Sequence, residues 1–158
     1  MSKHIADVTW TARAEDDFLA GRYSRAHTIR FDGGAEIPGS PSPGVVPAPW
    51  SDGAAVDPEE MFVASLSACH MLWFLDFARR AGVTIYSYRD QAEGLMGKND
   101  KGRIAITHVT LRPIVDSDAE AATLDELHHK AHEACFIANS VTTEVTIDTD
   151  SENQRRNR

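Results

Sequence analysis

The chain has 158 residues and a mass of 17.4 kDa, with 42% hydrophobic and 25% charged residues. That composition is typical of one folded domain and excludes a disordered or fibrous protein. Sixteen Lys and Arg against twenty-four Asp and Glu give a formal charge of −8, which argues against a nucleic-acid or anionic-membrane partner, since either requires a basic surface.

We expect a single domain over residues 1–150, followed by a flexible polar tail at 151–158. Residues 1–10 lack the apolar core of a signal peptide, and no stretch is expected to reach the ~18 apolar residues of a membrane helix. Two cysteines, Cys69 and Cys135, are too few for a secreted disulfide scaffold. The sequence therefore predicts a cytoplasmic protein.

The first third of the chain is predicted to be β structure with turns. Residues 5–14 and 25–31 are short runs with β-branched and aromatic side chains, and Asp32-Gly33-Gly34 is a turn signal. Residues 37–57 are rich in Pro, Gly and Ser, so we expect a long loop there. A loop of that length in a compact domain is usually functional or held by a partner.

A helix is strongly indicated from Asp57 onward. Asp57 is a good N-cap, Pro58 suits the first helical position, and Glu60 completes a capping box. The helix should end near Arg80, with Gly82 as its C-cap. Because residues 61–75 are apolar on every side of the helix, it must be enclosed all round, and a second subunit is the natural cover.

The rest of the chain predicts a β-hairpin, a helix and a strand. The hairpin pairs residues 83–96 with 103–115 around a turn at 97–102, an amphipathic helix covers 119–135, and a last strand covers 141–147. This order of elements predicts an α+β domain.

Two interpretations of the cysteines are open at this point. His128, His132 and Cys135 fall on one stripe of a helix, and with Cys69 they would be chemically adequate for a tetrahedral zinc site. Alternatively both cysteines only pack as small hydrophobes. Under either interpretation the protein would be a non-catalytic dimeric module. The sequence contains no Cys-x-x-Cys or His-Glu-x-x-His spacing. The histidines at 4, 27, 70 and 108 show no ligand spacing either, and we expect them to be solvated or hydrogen-bonded.

A third interpretation comes from a resemblance. Residues 57–69, Asp-Pro-Glu-Glu-Met-Phe-Val-Ala-Ser-Leu-Ser-Ala-Cys, resemble the helix motif of the OsmC/organic hydroperoxide resistance family. A second cysteine at a helix end, followed by a turn with Asn and Ser and a closing strand, is similar over residues 131–147. The resemblance is looser before Asp57. Departures from the family pattern are Asp57 for Asn, His70 after the first cysteine, and Phe136 after the second.

The resemblance implies an OsmC-like fold, with antiparallel sheets packed around a central buried helix in an intertwined homodimer. It implies a thiol-dependent peroxidase that reduces organic hydroperoxides in the stress response, without metal or cofactor. A dithiol, in some members a lipoyl group, would be its reductant. Carried over, Cys69 is the peroxidatic thiol and Cys135 the resolving thiol. Glu59 and Arg25 tune Cys69, with Arg22 as the alternative arginine.

Thiol chemistry and helix geometry constrain where these residues can lie. A free thiol is mostly protonated at pH 7, so a nearby guanidinium is needed to hold the thiolate. Glu59 and Cys69 are ten residues apart, which is about 15 Å along one helix. We therefore expect active sites on a two-fold interface, each with both cysteines from one chain and Arg25 and Glu59 from the other. An apolar pocket lined by Phe62, Met71, Trp73 and Phe136 would favour bulky organic peroxides.

Overall fold

The structure is a computed structural model of the chain and describes residues 2–149, so the expected tail at 151–158 lies outside the described residues. The chain forms two compact units, the first ending at Met61 and the second beginning at Phe62. The single domain over residues 1–150 stays a prediction.

The first unit is built on a three-stranded antiparallel sheet, β1 (Ala6–Thr9), β2 (His27–Phe31) and β3 (Glu36–Gly39), in the order β1-β2-β3. The predicted turn connects β2 to β3: Gly34 N–H donates to the Phe31 carbonyl at 2.9 Å, and Gly34 has a φ of +88°, which favours glycine. Strand β3 begins at Glu36 and extends into the segment expected to be a loop, so that prediction was wrong for residues 37–39. A proline, Pro38, lies in the strand, which is possible because β3 is at the sheet edge.

Helix α1 (Pro58–Arg80) begins as the sequence predicts. The Asp57 carboxylate accepts a hydrogen bond from the Glu60 N–H at 2.7 Å, and the Asp57 N–H donates to the Glu60 carboxylate at 3.1 Å. This reciprocal capping box satisfies two N–H groups at the helix start. At the other end Gly82 has a φ of +75° and its N–H donates to the Arg79 carbonyl.

One face of α1 is fully buried, and much of the rest is only half-buried. The buried residues are spaced by four and are Leu66, His70, Phe74 and Ala78. Over an 18-residue window α1 has a mean hydropathy of 1.5, so it is long and apolar enough to cross a membrane. The core helix of a folded protein meets the same criterion. The expectation that no segment would meet this test was therefore wrong, since the few polar residues of α1 do not offset its apolar ones.

The second unit contains five strands: β4 (Ile85–Asp90), β5 (Glu93–Lys98), β6 (Ile104–Leu111), β7 (Pro113–Ser117) and β8 (Glu144–Ile147). The two long strands predicted for the hairpin are each divided in two, so that β4 pairs with β7 and β5 pairs with β6, both antiparallel. The division occurs where Arg112 N–H donates to the Asp90 carboxylate at 2.7 Å instead of to a neighbouring strand. The expected antiparallel sheets are therefore present, and β8 adds one parallel pairing, with β6.

Helix α2 (Ala121–Ala134) falls within the predicted bounds and packs against α1. One buried cluster joins the C-terminal half of α1 to α2 and contains Phe74, Ala78, Leu124, Leu127 and Ala131. A second cluster joins the N-terminal half of α1 to the β5-β6-β8 sheet and contains Leu66, Val109 and Leu111. In this unit α1 is the central helix that the sequence predicts, with α2 and a sheet packed on it.

Candidate thiol site

The structure brings the two cysteines together. Cys69 lies on α1 and is half-buried, whereas Cys135 directly follows α2 and is only 1% exposed. Both are free thiols, and the Cys69 side chain is close enough to Cys135 to interact with it. One thiol of α1 and one that directly follows α2 therefore lie together at a single site.

The surroundings of Cys135 keep its thiol protonated. Burial, and to a smaller extent the interaction with Cys69, raises the pKa of Cys135 to about 11, while the Ala138 N–H, which donates to the sulfur at 3.4 Å, opposes the shift. Cys135 is therefore protonated at pH 7.

Apolar side chains flank the thiols at the surface. Phe136, next to Cys135, is 68% exposed and packs edge-on against Trp73 of α1, with ring centroids 5.3 Å apart. Leu72 of α1 is 63% exposed. Phe62, expected near the same pocket, lines a cavity of about 620 Å³ formed with the β5–β6 turn and the residues around the start of β8.

Arg25 is in the first unit, at the wall of an apolar cavity. Its Nη1 donates to the Tyr23 carbonyl at 2.8 Å, and its guanidinium lies 3.9 Å from the centre of the Tyr23 ring. The cavity has a volume of about 560 Å³ and is also lined by Val8, Trp10, Phe18, His27, Pro41, Val46 and Pro58. Three of its aromatic rings, Trp10, Phe18 and Tyr23, contact one another. Arg25 is therefore a cation fixed at an apolar surface.

Of the other two charged residues predicted for the site, Arg22 forms an ion pair and Glu59 does not form one within residues 2–149. Arg22, the alternative arginine, forms an ion pair with Asp17, and both side chains are at least half exposed. Glu59 is half-buried in the first turn of α1, and within residues 2–149 its carboxylate makes no ion pair or side-chain hydrogen bond. Of the four predicted site residues, Arg25 and Glu59 lie in the first unit, and Cys69 and Cys135 lie in the second.

A buried pair of histidines lies beside the thiol site and was not predicted. His70 Nε2 and His128 Nδ1 are 3.0 Å apart, and the side chains belong to α1 and α2 respectively. Burial lowers the pKa of His70 to about 3 and that of His128 to about 4, so both rings are neutral at pH 7. The one sequence signal was the position of His70 within an otherwise apolar stretch of helix.

The zinc set considered from the sequence is not assembled in the structure. Among the described residues, no group of three or more His, Cys, Asp or Glu side chains is arranged to hold a metal ion. His128, one of its proposed ligands, is instead hydrogen-bonded to His70.

The fold and the site define a class of small α+β protein in which two packed helices bring two free thiols into contact. The chain belongs to the OsmC-like protein family, whose model matches residues 51–150. No curated protein matches the sequence.

Solved structures agree with this assignment. An OsmC-like protein of unknown function from Vibrio cholerae is 51% identical, with a TM-score of 0.90 over 94% of this chain and 99% of that one. An organic hydroperoxide resistance protein from Elizabethkingia anophelis with bound thiocyanate is 18% identical, with a TM-score of 0.69 over 95% and 98%. A putative organic hydroperoxide resistance protein from Vibrio cholerae, with captopril in one active site, is 22% identical, with a TM-score of 0.66 over 95% and 94%. The latter two show a shared fold.

Proposed function

We propose that this protein is a cysteine-based peroxidase that reduces organic hydroperoxides, with Cys69 as the peroxidatic thiol and Cys135 as the resolving thiol. The close approach of their side chains carries the proposal, because two neighbouring thiols can form a disulfide without a large movement of the chain. The difference in burial distinguishes their roles. The half-buried Cys69 is the sulfur that a substrate can reach, while the buried, protonated Cys135 is protected until Cys69 has reacted.

These two thiols supply the two electrons that reduce a hydroperoxide to an alcohol and water. The Cys69 thiolate attacks the terminal oxygen of the hydroperoxide, the O–O bond breaks, and the alkoxide leaves as the alcohol after taking up a proton. Cys69 becomes a sulfenic acid. The Cys135 sulfur then attacks the Cys69 sulfur, giving the disulfide, and the thiol proton of Cys135 leaves with hydroxide as water. A dithiol reduces the disulfide by two exchange steps and is itself oxidised.

Arg25 is the guanidinium that we assign to the stabilisation of the Cys69 thiolate and of the departing alkoxide. Its stacking on Tyr23 at the wall of an apolar cavity supports this choice, since a cation there is poorly screened by water. Arg22 is less suitable because Asp17 already neutralises it at the surface. Glu59 has no ion-pair partner within residues 2–149 of its own chain. Its carboxylate would orient Arg25 by accepting two parallel hydrogen bonds from the guanidinium.

We place Arg25 and Glu59 in a site completed by a second copy of the chain in an intertwined homodimer. The apolar surface of α1 supports this arrangement, since only 22% of the most apolar 18-residue window of α1 is buried within one chain. Exposed Leu72 and Phe136 extend the same surface beside the thiols. A dimer would cover these side chains and bring the charged residues of one protomer to the cysteines of its partner.

The relatives support the class of substrate. One structure with the same fold is an organic hydroperoxide resistance protein, and a second is a putative one with captopril bound in one of its active sites. We assign a dithiol reductant, for which a lipoyl group is one candidate, and a stress-response role in the cytoplasm. The 51% identical Vibrio cholerae protein is described as one of unknown function and does not discriminate among these assignments.

Peptide mapping of the oxidised protein is the direct test. One equivalent of cumene hydroperoxide should consume two thiols per chain and yield a Cys69–Cys135 cross-linked peptide, with cumyl alcohol as the product. Cys135→Ser should stop at a sulfenic acid trapped by dimedone, and Cys69→Ser should not react. A Cys69→Ser protein that still turns over hydroperoxide with a dithiol would refute the assignment. One equivalent of tightly held zinc per chain, with unreactive thiols, would support the non-catalytic alternative.

A further inference from the structure

The His70–His128 pair is the one side-chain hydrogen bond with both partners buried in the part of the chain that the structure describes. The exposed fractions are 1% and 4%. The two rings are nearly parallel, with planes 7° apart, and His128 also stacks on Phe74 at 4.1 Å. Both imidazoles are thus held in fixed orientations between α1 and α2.

The bond has a defined direction. Two neutral imidazoles form a hydrogen bond only if one ring donates and the other accepts. His70 Nδ1 is buried without a hydrogen-bond partner. If His128 donated, this Nδ1 would carry an unsatisfied N–H. We therefore assign the proton to His70 Nε2, which leaves His70 Nδ1 as a lone pair. His128 then keeps its Nε2–H, and its side chain lines a cavity of about 280 Å³ together with Asp125, His129 and His132.

The position of the pair connects it to the thiol site. His70 directly follows Cys69 on α1, and His128 lies seven residues, about 10 Å, before Cys135 along α2. The pair and the thiols are therefore two polar contacts between the same two helices. The remaining buried contacts between α1 and α2 are apolar.

Apolar contacts fix the setting of one helix against another less sharply than a directional contact does, because the hydrophobic effect is non-directional. A buried hydrogen bond is directional, and a small rotation or translation of α1 would leave two desolvated nitrogens unpaired. That loss destabilises any other setting, because each unpaired nitrogen would keep its full desolvation penalty. Buried polar contacts are known to select one packing register in this way.

We propose that His70 and His128 are positioning residues for the thiol pair. Their hydrogen bond keeps α1 and α2 at the setting in which Cys69 and Cys135 are in contact, and it thereby controls how fast the disulfide closes and how stable it is. The inference rests on the pairing of the two thiols in the proposed function and not on the identity of the oxidant.

The test uses disulfide closure by diamide in the full-length protein. Both thiols lose hydrogen and two electrons, the N=N bond of diamide becomes a hydrazine, and the S–S bond forms. The double variant His70→Leu/His128→Leu keeps an apolar interface without the hydrogen bond. It should remain folded by circular dichroism but close the disulfide about 10- to 100-fold more slowly, since a displacement near 1 Å has effects of that size. Its disulfide should also be reduced more easily in a dithiothreitol redox buffer.

Two single variants complete the design. His70→Gln retains an N–H donor near the position of Nε2 and should restore closure close to the wild-type rate. His129→Leu, a matched change on the exposed side of α2, should leave closure unchanged. A folded double variant with wild-type closure rate and wild-type equilibrium constant would overturn the proposal, as would a His70→Gln protein that closes no faster than the double variant. If diamide closure follows the expected pattern but hydroperoxides do not react, the peroxidase assignment fails and the positioning role stands.

Discussion

Gly94 of β5 lies directly against Val63 of α1, so that a Cβ atom added to Gly94 would be 2.6 Å from Val63 Cγ2. The central helix and the sheet can approach this closely only because the strand has no side chain there. We expect Gly94→Ala to lower the free energy of unfolding by about 1–3 kcal/mol, the usual cost of overpacking a core. Urea unfolding monitored by tryptophan fluorescence would measure it.

Two controls identify the contact. Gly33→Ala adds the same methyl group where no atom lies within 4 Å, and it should change stability little. Val63→Ala in the Gly94→Ala background removes the clashing methyl groups, so the two changes should be strongly non-additive. If the costs of the two changes simply add, the close approach of strand and helix is not the cause.

The buried histidines predict a loss of stability in acid. The unfolded chain binds a proton at each histidine near pH 6.5, but the folded chain does so only near pH 4 at His128 and pH 3 at His70. The contribution of these neutral rings to the free energy of unfolding is therefore fully present above pH 6.5. It is lost as the pH falls from 6.5 to about 3. Each histidine contributes a slope of up to about 1.4 kcal/mol per pH unit within its window.

Urea midpoints measured at intervals from pH 7.5 to pH 4.5 would test the histidine prediction. Carboxylates also titrate toward the lower end of this range, so the comparison is with His70→Leu/His128→Leu. That variant should show a much flatter profile between pH 6.5 and pH 5. Identical slopes in the two proteins would show that these imidazoles are not the groups responsible.

Arg25 should control thiol reactivity, and Arg22 should not. Arg25→Met preserves the length of the side chain but removes the charge, so at pH 7 we expect at least about a tenfold slower reaction of Cys69 with cumene hydroperoxide. The deficit should shrink at high pH, where the thiolate forms without help. Arg22→Met should be close to wild type, because Arg22 is paired with Asp17 at the surface. The reverse pattern would assign the role to Arg22.

A site shared between protomers can be reconstituted from two inactive chains. One chain carries Arg25→Met and Glu59→Gln, and the other carries Cys69→Ser. Each mixed dimer would contain one complete site, with Cys69 and Cys135 from the first chain and Arg25 and Glu59 from the second. Random assembly on co-expression should then recover about a quarter of the wild-type activity. Mixed dimers can be isolated with two affinity tags. If they remain inactive, either all four residues act within one protomer or Arg25 and Glu59 are not part of the site.

Local signals were enough for several elements. The Asp57–Glu60 capping box and Gly82 predicted the ends of α1, and Asp32-Gly33-Gly34 predicted the β2–β3 turn, since these features depend on residues a few positions apart. The helix motif around Cys69 was specific enough to indicate the family that the comparisons show. Strand β3 was missed because Pro38 is typical of loops and is tolerated only at a sheet edge.

Other features depended on residues that are far apart in the chain. The divided hairpin results from Asp90, whose carboxylate accepts hydrogen bonds from Ser67 Oγ on α1 and from the Arg112 backbone. No period in the sequence indicates such a bond.

The sequence by itself determined where α1 begins and ends, which residues are apolar, and which two residues carry thiols, because capping and hydropathy act over one or two turns of chain. Only the tertiary structure decided that Cys69 meets Cys135 and that His70 meets His128 across 58 residues. Those contacts depend on how α1 and α2 pack, and packing is set by the shapes of whole faces rather than by neighbours in sequence.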